Sequence, residues 1–353
     1  DPNTLYRWSR AGRFPAGKIG KEWRVLHSDA ISFIEKNKHR NEFLTNGQTA
    51  ELITALVGRR EIPLKFQYIG EGADRFITLE YTNEYAIGQH ELELIVENDR
   101  QIISKLGPLD FNVLDMGCGD GNKAATVITR LTRDVTPQYF PIDISSRMID
   151  VATQTVKAVH PIVNIESFNE DFEQGNLAKI TYYLRRRYQK NNLTLFLGQT
   201  IGNLFDYHRV LVNLRESMTE DDCLLVGLAM LSKWTNPTKA YENELLYNLL
   251  FTLPEKIGIK RTHASVKVYF NQIKNQVEWK LEFEKDWTKQ LGQDLLHFNK
   301  GQRVLLGISH RFTKEEIFEM FAKAGFRIEL FLQTKRKDYG LILCRPHSWE
   351  RKI

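Results

Sequence analysis

Cysteine is scarce in this chain: three residues in 353 are cysteine, and they lie far apart in the sequence. Cys118, Cys223 and Cys344 each have apolar neighbours, which is typical of buried thiols and not of a disulfide framework or a zinc site. The sequence also lacks an apolar run long enough to cross a bilayer, and it lacks a secretory signal pattern. We therefore expect a cytoplasmic protein with no metal site and no membrane segment.

Net charge is absent from most of the chain. Residues 1–40 contain nine Lys/Arg and four Asp/Glu, a net charge of +5, and the totals of 49 and 44 leave 40 of each sign for residues 41–353. A compact basic segment is typical of a protein that contacts nucleic-acid phosphates, whereas a neutral remainder suits a small-molecule enzyme. DNA is therefore a candidate partner of residues 1–40 alone.

The basic segment has the pattern of a helix, a hairpin and a second helix. These three elements are predicted over residues 3–12, 18–25 and 28–34. The pattern resembles the winged helix-turn-helix modules of the MerR/excisionase family without their first helix. The motifs that carry this resemblance are residues 2–8, 14–15, 18–20 and 23–24. It implies a partial DNA-binding module over residues 1–40, which a linker over residues 41–52 would join to the rest.

Residues 53–353 have the alternation of strands and helices that is typical of a doubly wound α/β domain. An apolar strand at residues 113–116 begins an alternation that continues to about residue 231. Strands at 326–332 and 339–343 would complete the sheet. Between about 232 and 312, two alternating segments predict an antiparallel hairpin, so this part is expected to be an insertion.

A glycine-rich turn follows the first strand of this domain. Gly117, Gly119 and Gly121 alternate and a helix begins at once, which allows a ligand to approach the helix N-terminus closely. The next strand ends at Asp143, near the spacing expected of a carboxylate that binds a ribose. Asn122 stands where a dinucleotide fingerprint has its third glycine, so no pyrophosphate site is expected. A glycine turn in another Rossmann-like fold is the alternative interpretation.

This turn resembles the first motif of class I S-adenosylmethionine methyltransferases. Asp143 then matches the ribose acid at the end of their second strand. Asp171 and Phe172 match their third motif, in which an acid and an adjacent apolar ring hold the adenine. The resemblance implies S-adenosylmethionine as the cofactor and a class I methyltransferase sheet.

Base methylation is disfavoured. DNA methyltransferases that flip a base use an Asn/Asp-Pro-Pro-aromatic loop, and the closest approach here is residues 236–238, which lack the second proline and the aromatic residue. Cys223 has no histidine, and no acid beyond the preceding loop, to activate it as a nucleophile.

Residues 50–350 resemble the histidine-specific N-alpha-methyltransferases of ergothioneine biosynthesis. The motifs concerned are residues 65–68, 84–85 with Glu91, the Gly117 turn with Lys123, residues 198–203, Tyr241 and residues 309–312. The resemblance implies that Asn203, Tyr68 and Tyr241 hold the α-amino and carboxylate groups of an amino acid, with Tyr85 at the cleft wall. Its implied cofactor set is Gly117, Gly119, Lys123, Asp143, Asp171, Phe172 and Gly198.

Neutral groups around the amine suit the implied reaction. N-methylation is an in-line displacement that needs an unprotonated amine aimed at the methyl group, so positioning matters most. The alternative is that the tyrosines are core or half-buried residues and that Asn203 caps a helix.

The chain departs from this family at one position of the acceptor site. Gly307 stands where the family has a glutamate that holds the imidazole, two residues before Ser309. The loss removes a charge-assisted hydrogen bond worth about 1.5 to 3 kcal/mol, although His310 offers another polar contact. The predicted function is methylation of the amine of an amino acid or related small molecule, and not of histidine. The alternative is a DNA-binding regulator whose methyltransferase-like domain senses a ligand.

Overall fold

The computed structural model describes residues 16–19, 22–25, 44–82, 87–107, 110–131, 138–175, 177–291 and 294–347. The chain divides into two compact units, residues 1–54 and 55–353. In the first unit, β1 (Gly17–Ile19) and β2 (Glu22–Arg24) form an antiparallel hairpin with Lys18 opposite Trp23. This hairpin agrees with the predicted one. Both helices predicted for the helix-turn-helix module lie outside the described residues.

The second half of the predicted linker, residues 46–52, lies in a helix. Helix α1 (Asn46–Arg59) begins inside residues 41–52. The Thr45 hydroxyl accepts a hydrogen bond from the Gln48 backbone N–H at 3.3 Å, and the Gln48 side chain accepts one from the Thr45 N–H at 2.9 Å. This reciprocal pair is a capping box that starts the helix, and it was not recognised in the polar sequence around it.

The second unit contains further helices and strands. The helices are α2 (Glu71–Glu80), α3 (Ile87–Glu97), α4 (Asp99–Leu106), α5 (Asn122–Leu131), α6 (Ser146–Val159), α7 (Leu177–Tyr188), α8 (Tyr207–Ser217), α9 (Glu244–Leu250), α10 (Thr252–Lys256) and α11 (Lys314–Lys323), with short 3-10 turns at Leu64–Tyr68, Thr200–Asn203 and Lys239–Tyr241. The strands are β3 (Phe111–Met116), β4 (Gln138–Asp143), β5 (Asn164–Ile165), β6 (Phe168–Asn169), β7 (Asn191–Phe196), β8 (Cys223–Ala229), β9 (Ala264–Asn271), β10 (Gln276–Phe283), β11 (Trp287–Leu291), β12 (Asp294–Phe298), β13 (Arg303–His310), β14 (Phe326–Gln333) and β15 (Tyr339–Pro346).

Eight of these strands form the central sheet. Their order is β14-β15-β8-β7-β3-β4-β5, and β6 also pairs with β4. The pairs from β8 to β5 are parallel, whereas β15 is antiparallel to both of its neighbours. In the sheet, β3 lies between β4 and β7, so the strand order reverses direction at β3. The carboxyl ends of the strands at this point border a crevice, which is where ligands bind in such folds.

Helices cover both faces of the sheet. One apolar layer joins Leu114 and Phe196 to side chains of α7, α8 and α11. The other joins Val113 and Leu195 to side chains of α3, α4 and α5. Adjacent residues of one strand thus contribute to opposite layers, as the period of two in a strand requires. The doubly wound α/β class predicted for residues 53–353 is confirmed.

The insertion forms two small antiparallel sheets. Strands β9 and β10 make the predicted hairpin, with Phe270 opposite Val277, and β13 pairs with the other edge of β10. A second hairpin, β11 with β12, was not predicted. Beyond β13, the Phe312 N–H donates to the Ala229 carbonyl at 3.1 Å, which joins the end of the insertion to the carboxyl end of β8. In the part of the chain that the structure describes, no helix is long and apolar enough to span a bilayer.

Candidate functional site

The glycine turn after β3 is built for close packing. Gly117, Gly119 and Gly121 have φ of 68°, 52° and 80°, which glycine adopts without strain. The Gly117 N–H donates to the Ile142 carbonyl of β4 at 2.8 Å. A Cβ on Gly121 would lie 2.7 Å from the Ala152 Cα of α6, so only glycine fits there. The turn is thereby held between β4 and α6 with its backbone against the crevice.

Asp143 lies at the carboxyl end of β4, beside this turn. Its carboxylate accepts a hydrogen bond from the Ser145 N–H at 2.8 Å. Burial raises the pKa of Asp143 to about 6, and backbone N–H groups that include those of Ser145 and Gly119 oppose the increase. At neutral pH the group is therefore mostly a carboxylate, the form that accepts hydrogen bonds from ribose hydroxyls.

Asp171 and Phe172, the two residues predicted to hold the adenine, have different surroundings in the structure. Phe172 lies beside the turn, 3.8 Å from the position of a Cβ on Gly117, and its ring contacts that of Phe196 edge-on at 5.4 Å. The Asp171 carboxylate instead accepts a hydrogen bond from Lys65 Nζ at 2.6 Å in a partly buried ion pair. This pair connects the third motif to the turn Leu64–Tyr68, and no sequence pattern predicted it.

Lys123, at the start of α5, joins a network of buried acids. Its Nζ donates to Glu80 Oε1 at 2.8 Å and lies 3.7 Å from the position of a Cβ on Gly198. Burial lowers the pKa of Lys123, but the charges of Glu80 and Glu91 raise it by more, so the ammonium is retained. Glu80 was not singled out in the sequence, because nothing local marks it.

Glu91 holds the loop that carries Gly198. Its carboxylate accepts hydrogen bonds from the Gly198 N–H and the Tyr339 hydroxyl, each at 2.8 Å. Burial raises the pKa of Glu91 to about 7, and the charge of Lys123 and these hydrogen bonds lower it. Gly227 is necessary here, because a Cβ on it would lie 1.5 Å from a Glu91 oxygen. Glu91 is thus a buried support of the crevice.

One carboxylate oxygen in this network has no partner. Glu80 Oε2 is buried, and no described residue donates a hydrogen bond to it. It lies 3.5 Å from the position of a Cβ on Gly119. A buried orphan acceptor at a glycine turn is the kind of atom that a bound ammonium group would satisfy. The crevice therefore offers the Lys123 cation to the carboxylate of a bound amino-acid group and the Glu80 anion to its ammonium.

On the other side of the crevice, Tyr241 and Ser309 form a buried cluster with Arg311. The Tyr241 hydroxyl is 2.9 Å from Ser309 Oγ, and Arg311 donates to Ser309 Oγ at 2.8 Å and to the Tyr241 hydroxyl at 2.7 Å. The structure thus brings together two residues predicted for the acceptor site. Arg311 was noted only as part of a motif, although its spacing of two from Ser309 on a strand path would have placed both on one face.

Tyr68 lies between the two sides of the crevice. Its ring packs against Phe76, with the centroids 5.0 Å apart. Burial raises the pKa of the Tyr68 phenol, and the charges of Glu80 and Asp143 and the Tyr241 hydroxyl raise it further. The neutral hydroxyl is therefore within electrostatic reach of the ribose acid and of the acceptor cluster. Tyr85, the fourth predicted residue of this side, lies outside the described residues.

Asn203 ends the 3-10 turn that follows β7. Thr200, in the same turn, lies 3.4 Å from the position of a Cβ on Gly117. Gln199 has a left-handed φ of 65° and donates to the His310 carbonyl at 2.6 Å while it accepts a hydrogen bond from the Ala229 N–H. The turn is thereby fixed to the cofactor loop and to the end of β13. The half-buried Asn203 side chain makes no hydrogen bond to any described residue.

Gly307 is buried on β13, opposite Trp279. A Cβ on Gly307 would lie 3.0 Å from Leu64 Cδ1 and 3.1 Å from Trp279 Cε3. Leu64 and Trp279 would therefore have to move by a few tenths of an ångström to admit even the Cβ of a longer side chain. The glycine is part of a packed wall and not a vacancy.

His310 faces away from this wall. Its ring contacts that of Phe312, with the centroids 4.4 Å apart, and burial lowers its pKa. A polar contact between His310 and the acceptor stays a prediction. Among the described residues, no cluster of three or more His, Cys, Asp or Glu could hold a metal ion, and the three cysteines are buried and unpaired.

Comparisons with known proteins agree on one kind of chemistry. Residues 48–346 match the model of a family described as histidine-specific methyltransferase, SAM-dependent. The histidine N-alpha-methyltransferase of Mycolicibacterium smegmatis (strain ATCC 700084 / mc(2)155) is 22% identical over 299 residues, which cover 81% of this chain and 90% of that protein.

Two solved structures are also similar. An S-adenosylmethionine-dependent methyltransferase from Clostridium acetobutylicum ATCC 824 has a TM-score of 0.47 at 10% identity and covers 78% of this chain and 99% of its own. The glycopeptide N-methyltransferase MtfA, complexed with S-adenosyl-L-methionine, has a TM-score of 0.38 at 13% identity and covers 74% of this chain and 95% of its own.

Proposed function

Because this chain belongs to the family of histidine-specific, S-adenosylmethionine-dependent methyltransferases, we propose that it methylates the amine of an amino acid or related small molecule other than histidine. The chain is an N-methyltransferase, and its cofactor is S-adenosylmethionine. The observation that carries the choice of acceptor is the packing around Gly307. Leu64 and Trp279 pack against the position where the family has its imidazole-binding glutamate, so a histidine ring would lack the carboxylate that holds it.

The residues of the crevice fit the cofactor. Gly117, Gly119 and Gly198 let it approach the backbone, Asp143 would accept hydrogen bonds from its ribose hydroxyls, and Phe172 would lie against its adenine. Lys123 and Glu80 suit the carboxylate and ammonium of its methionine part. Asp171 is already paired with Lys65, so its carboxylate would contact the adenine as part of that ion pair. When bound, S-adenosylmethionine supplies a methyl group that leaves its sulfonium sulfur as the new nitrogen–carbon bond forms.

The chain's own part in this step is to position the amine. A nitrogen can attack only with its lone pair free, so the ammonium proton must first pass to solvent or to another base. The Tyr68 hydroxyl and the Asn203 side-chain carbonyl can both accept a hydrogen bond from an amine N–H, and they leave the lone pair free to face the methyl group. Tyr241, fixed by Arg311 and Ser309, provides a rigid wall beside them.

Asn203→Ala tests this assignment. We expect turnover of the true acceptor to fall by more than about 100-fold, because the amine loses a positioning group, while the Kd for S-adenosylmethionine changes by less than about threefold. Purified protein is titrated with the cofactor in a calorimeter, and transfer of labelled methyl groups is measured over a panel of amino acids and amines. Absence of cofactor binding at millimolar concentration would refute the proposed function. Full activity of Asn203→Ala, or efficient turnover of histidine by the wild type, would refute the acceptor site.

A further inference from the structure

The Arg311 guanidinium is buried without a neutralising carboxylate. Its residue is 7% exposed, and no Asp or Glu among the described residues forms an ion pair with it. All the oxygens that it contacts are neutral: Ser309 Oγ at 2.8 Å, the Tyr241 hydroxyl at 2.7 Å and the His310 carbonyl at 3.3 Å. By contrast, Arg185 pairs with the buried Asp222 at 2.6 Å. A buried cation is strongly unfavourable unless an anion accompanies it.

This cation also has donors to spare. A guanidinium carries five N–H groups, and the three contacts of Arg311 use three of them. Two donors therefore remain for a partner that no described residue supplies. A planar fork with two free donors matches the two oxygens of a carboxylate.

A second unsatisfied donor lies in the same cluster. The Trp279 indole N–H is buried and has no hydrogen-bond partner among the described residues. Its ring contacts that of Tyr241 edge-on, with the centroids 5.1 Å apart. Trp279 Nε1 and the two unused Arg311 donors therefore lie around Tyr241, and an acceptor of several hydrogen bonds would satisfy them.

The cluster belongs to the wall of the acceptor site. Trp279, whose ring contacts that of Tyr241, packs against Gly307 together with Leu64, which begins the turn that ends at Tyr68. The carbonyl of His310, next to Arg311, is held by Gln199 of the turn that carries Asn203. A group bound at Arg311 would therefore lie beside the residues that position the amine.

We propose that Arg311 determines acceptor specificity by binding a carboxylate of the methyl acceptor. This inference rests on the proposed function, since it names the acceptor as an anion-bearing amine. The Arg311 guanidinium repels an amine that carries only a positive charge, whereas the carboxylate of an amino acid neutralises the guanidinium. The same positive charge favours the unprotonated form of the nearby amine, which is the form that reacts. Either the α-carboxylate or a side-chain carboxylate of the acceptor can supply this anion.

Matched pairs of acceptors test the inference and separate the two sources. Each amino acid is compared with its α-amide, and glutamate and aspartate are compared with glutamine and asparagine. We expect wild type to prefer the acid of one such pair by about 100-fold in kcat/KM, and Arg311→Gln to reduce the preference to about threefold or less. Arg311→Lys, which keeps the charge without the fork, should retain part of it.

Arg303→Gln is the matched control. Arg303, the first residue of β13, is half-exposed and pairs with Glu282 at 2.9 Å, so its loss should leave the preference for the acid unchanged. The Kd for S-adenosylhomocysteine and the thermal melting of each variant show whether Arg311→Gln has folded. Equal turnover of acid and amide by the wild type in every pair, or an undiminished preference in Arg311→Gln, would overturn the inference.

A binding measurement decides the matter even if no acceptor in the panel reacts. Sodium acetate, compared with sodium chloride at equal ionic strength, should raise the Tm of the wild-type complex with S-adenosylhomocysteine by about 2 °C and that of Arg311→Gln by none. Equal Tm values in the two salts would count against an anion site at Arg311. If the protein fails to bind the cofactor, the proposed function fails, and acetate added to the free protein still tests Arg311.

Discussion

At the scale of single residues, Gly307 separates this chain from enzymes that bind an imidazole with a glutamate. Considered without the structure, the loss of a charge-assisted hydrogen bond predicts that Gly307→Glu would improve histidine binding. The structure changes that expectation, because a Cβ at this position already approaches Leu64 and Trp279 to within 3.0 and 3.1 Å. Contacts this close have to be relieved before a longer side chain can be placed, and overpacking a filled wall typically costs 1 to 3 kcal/mol.

We therefore predict that Gly307→Glu alone gains no histidine methylation and that Gly307→Glu combined with Leu64→Ala gains about tenfold. The double variant removes the obstructing methyl groups and supplies a charge-assisted hydrogen bond, and tenfold corresponds to about 1.4 kcal/mol of that bond. Histidine methylation is measured for both variants, with Leu64→Ala alone as the control. If Gly307→Glu alone methylated histidine well, this would show that the side chains of Leu64 and Trp279 move aside easily.

Residues of the cofactor side were predictable because their signals are local. Gly117 and Gly119 form a turn within one short segment, and Asp143 ends the next strand at a characteristic spacing. Arg311 and Glu80 gave no such signal. Their roles depend on which carboxylates and oxygens lie near them in space, and a sequence does not show that a buried charge lacks its partner.

At the scale of elements, the pairing of β3 with β4 encloses a carboxyl group. Asp115 of β3 is buried and accepts a hydrogen bond from the Tyr139 hydroxyl of β4 at 2.8 Å. Burial raises the pKa of Asp115 to about 7, well above the value of about 3.9 expected in an unfolded chain. Between these values the folded state binds more protons than the unfolded state. Stability contributed by the protonated group is therefore present at low pH and lost as the pH rises towards 7.

We predict that Asp115→Asn stabilises the protein at pH 8 by an amount on the order of 2 kcal/mol and by clearly less at pH 5, where the folded wild-type protein still keeps the proton. The asparagine carbonyl can still accept the Tyr139 hydrogen bond, but the amide has no charge to desolvate. Urea unfolding at both pH values measures the difference. Asp150→Asn, on the exposed face of α6, is the control and should show no dependence on pH. A variant less stable than wild type at pH 8 would contradict the assignment.

Elements with strong periodicity were predicted, and those without it were missed. The Thr-x-x-Glu pattern of residues 313–316 predicts a capping box, and both of its hydrogen bonds are present at the start of α11. The β11–β12 hairpin was missed because most of its side chains are exposed, so no alternation of apolar and polar residues marks it. Its stability depends on aromatic contacts instead, such as the stacked rings of Phe283 and Phe298, whose centroids are 4.7 Å apart.

At the scale of the whole molecule, the two sides of the crevice differ in how they are assembled. The cofactor turn and its acid come from two consecutive strand–turn units, which is why sequence patterns identify them. The acceptor side combines Tyr68, Asn203, Tyr241 and the end of β13, which are separated by up to about 240 residues. Only the return of the insertion to the carboxyl end of β8 brings these segments together. The resemblance to a family identified some of these residues in advance, but their contacts with Arg311 can be seen only in the folded structure.

At the same scale, the charge of the chain is unevenly distributed. All of the formal excess of +5 lies in residues 1–40, and the rest of the chain is neutral. If about five phosphates are neutralised on binding, log Kd should vary with log salt with a slope of about 4.5. We therefore expect the full chain to bind double-stranded DNA fragments weakly at 50 mM salt and to lose about 500-fold in affinity by 200 mM.

A charge-neutralised chain provides the control. Replacing the five cations Arg7, Arg10, Arg13, Lys18 and Lys21 by glutamine removes the whole excess, so this variant should not shift DNA at either salt concentration. Its Kd for S-adenosylmethionine should equal that of the wild type, because no cofactor residue is changed. Gel shifts at the two salt concentrations measure the slope. No shift by the wild type at 50 mM would refute DNA binding by the basic segment, and a shift that does not depend on salt would mean that phosphate contacts are not its basis.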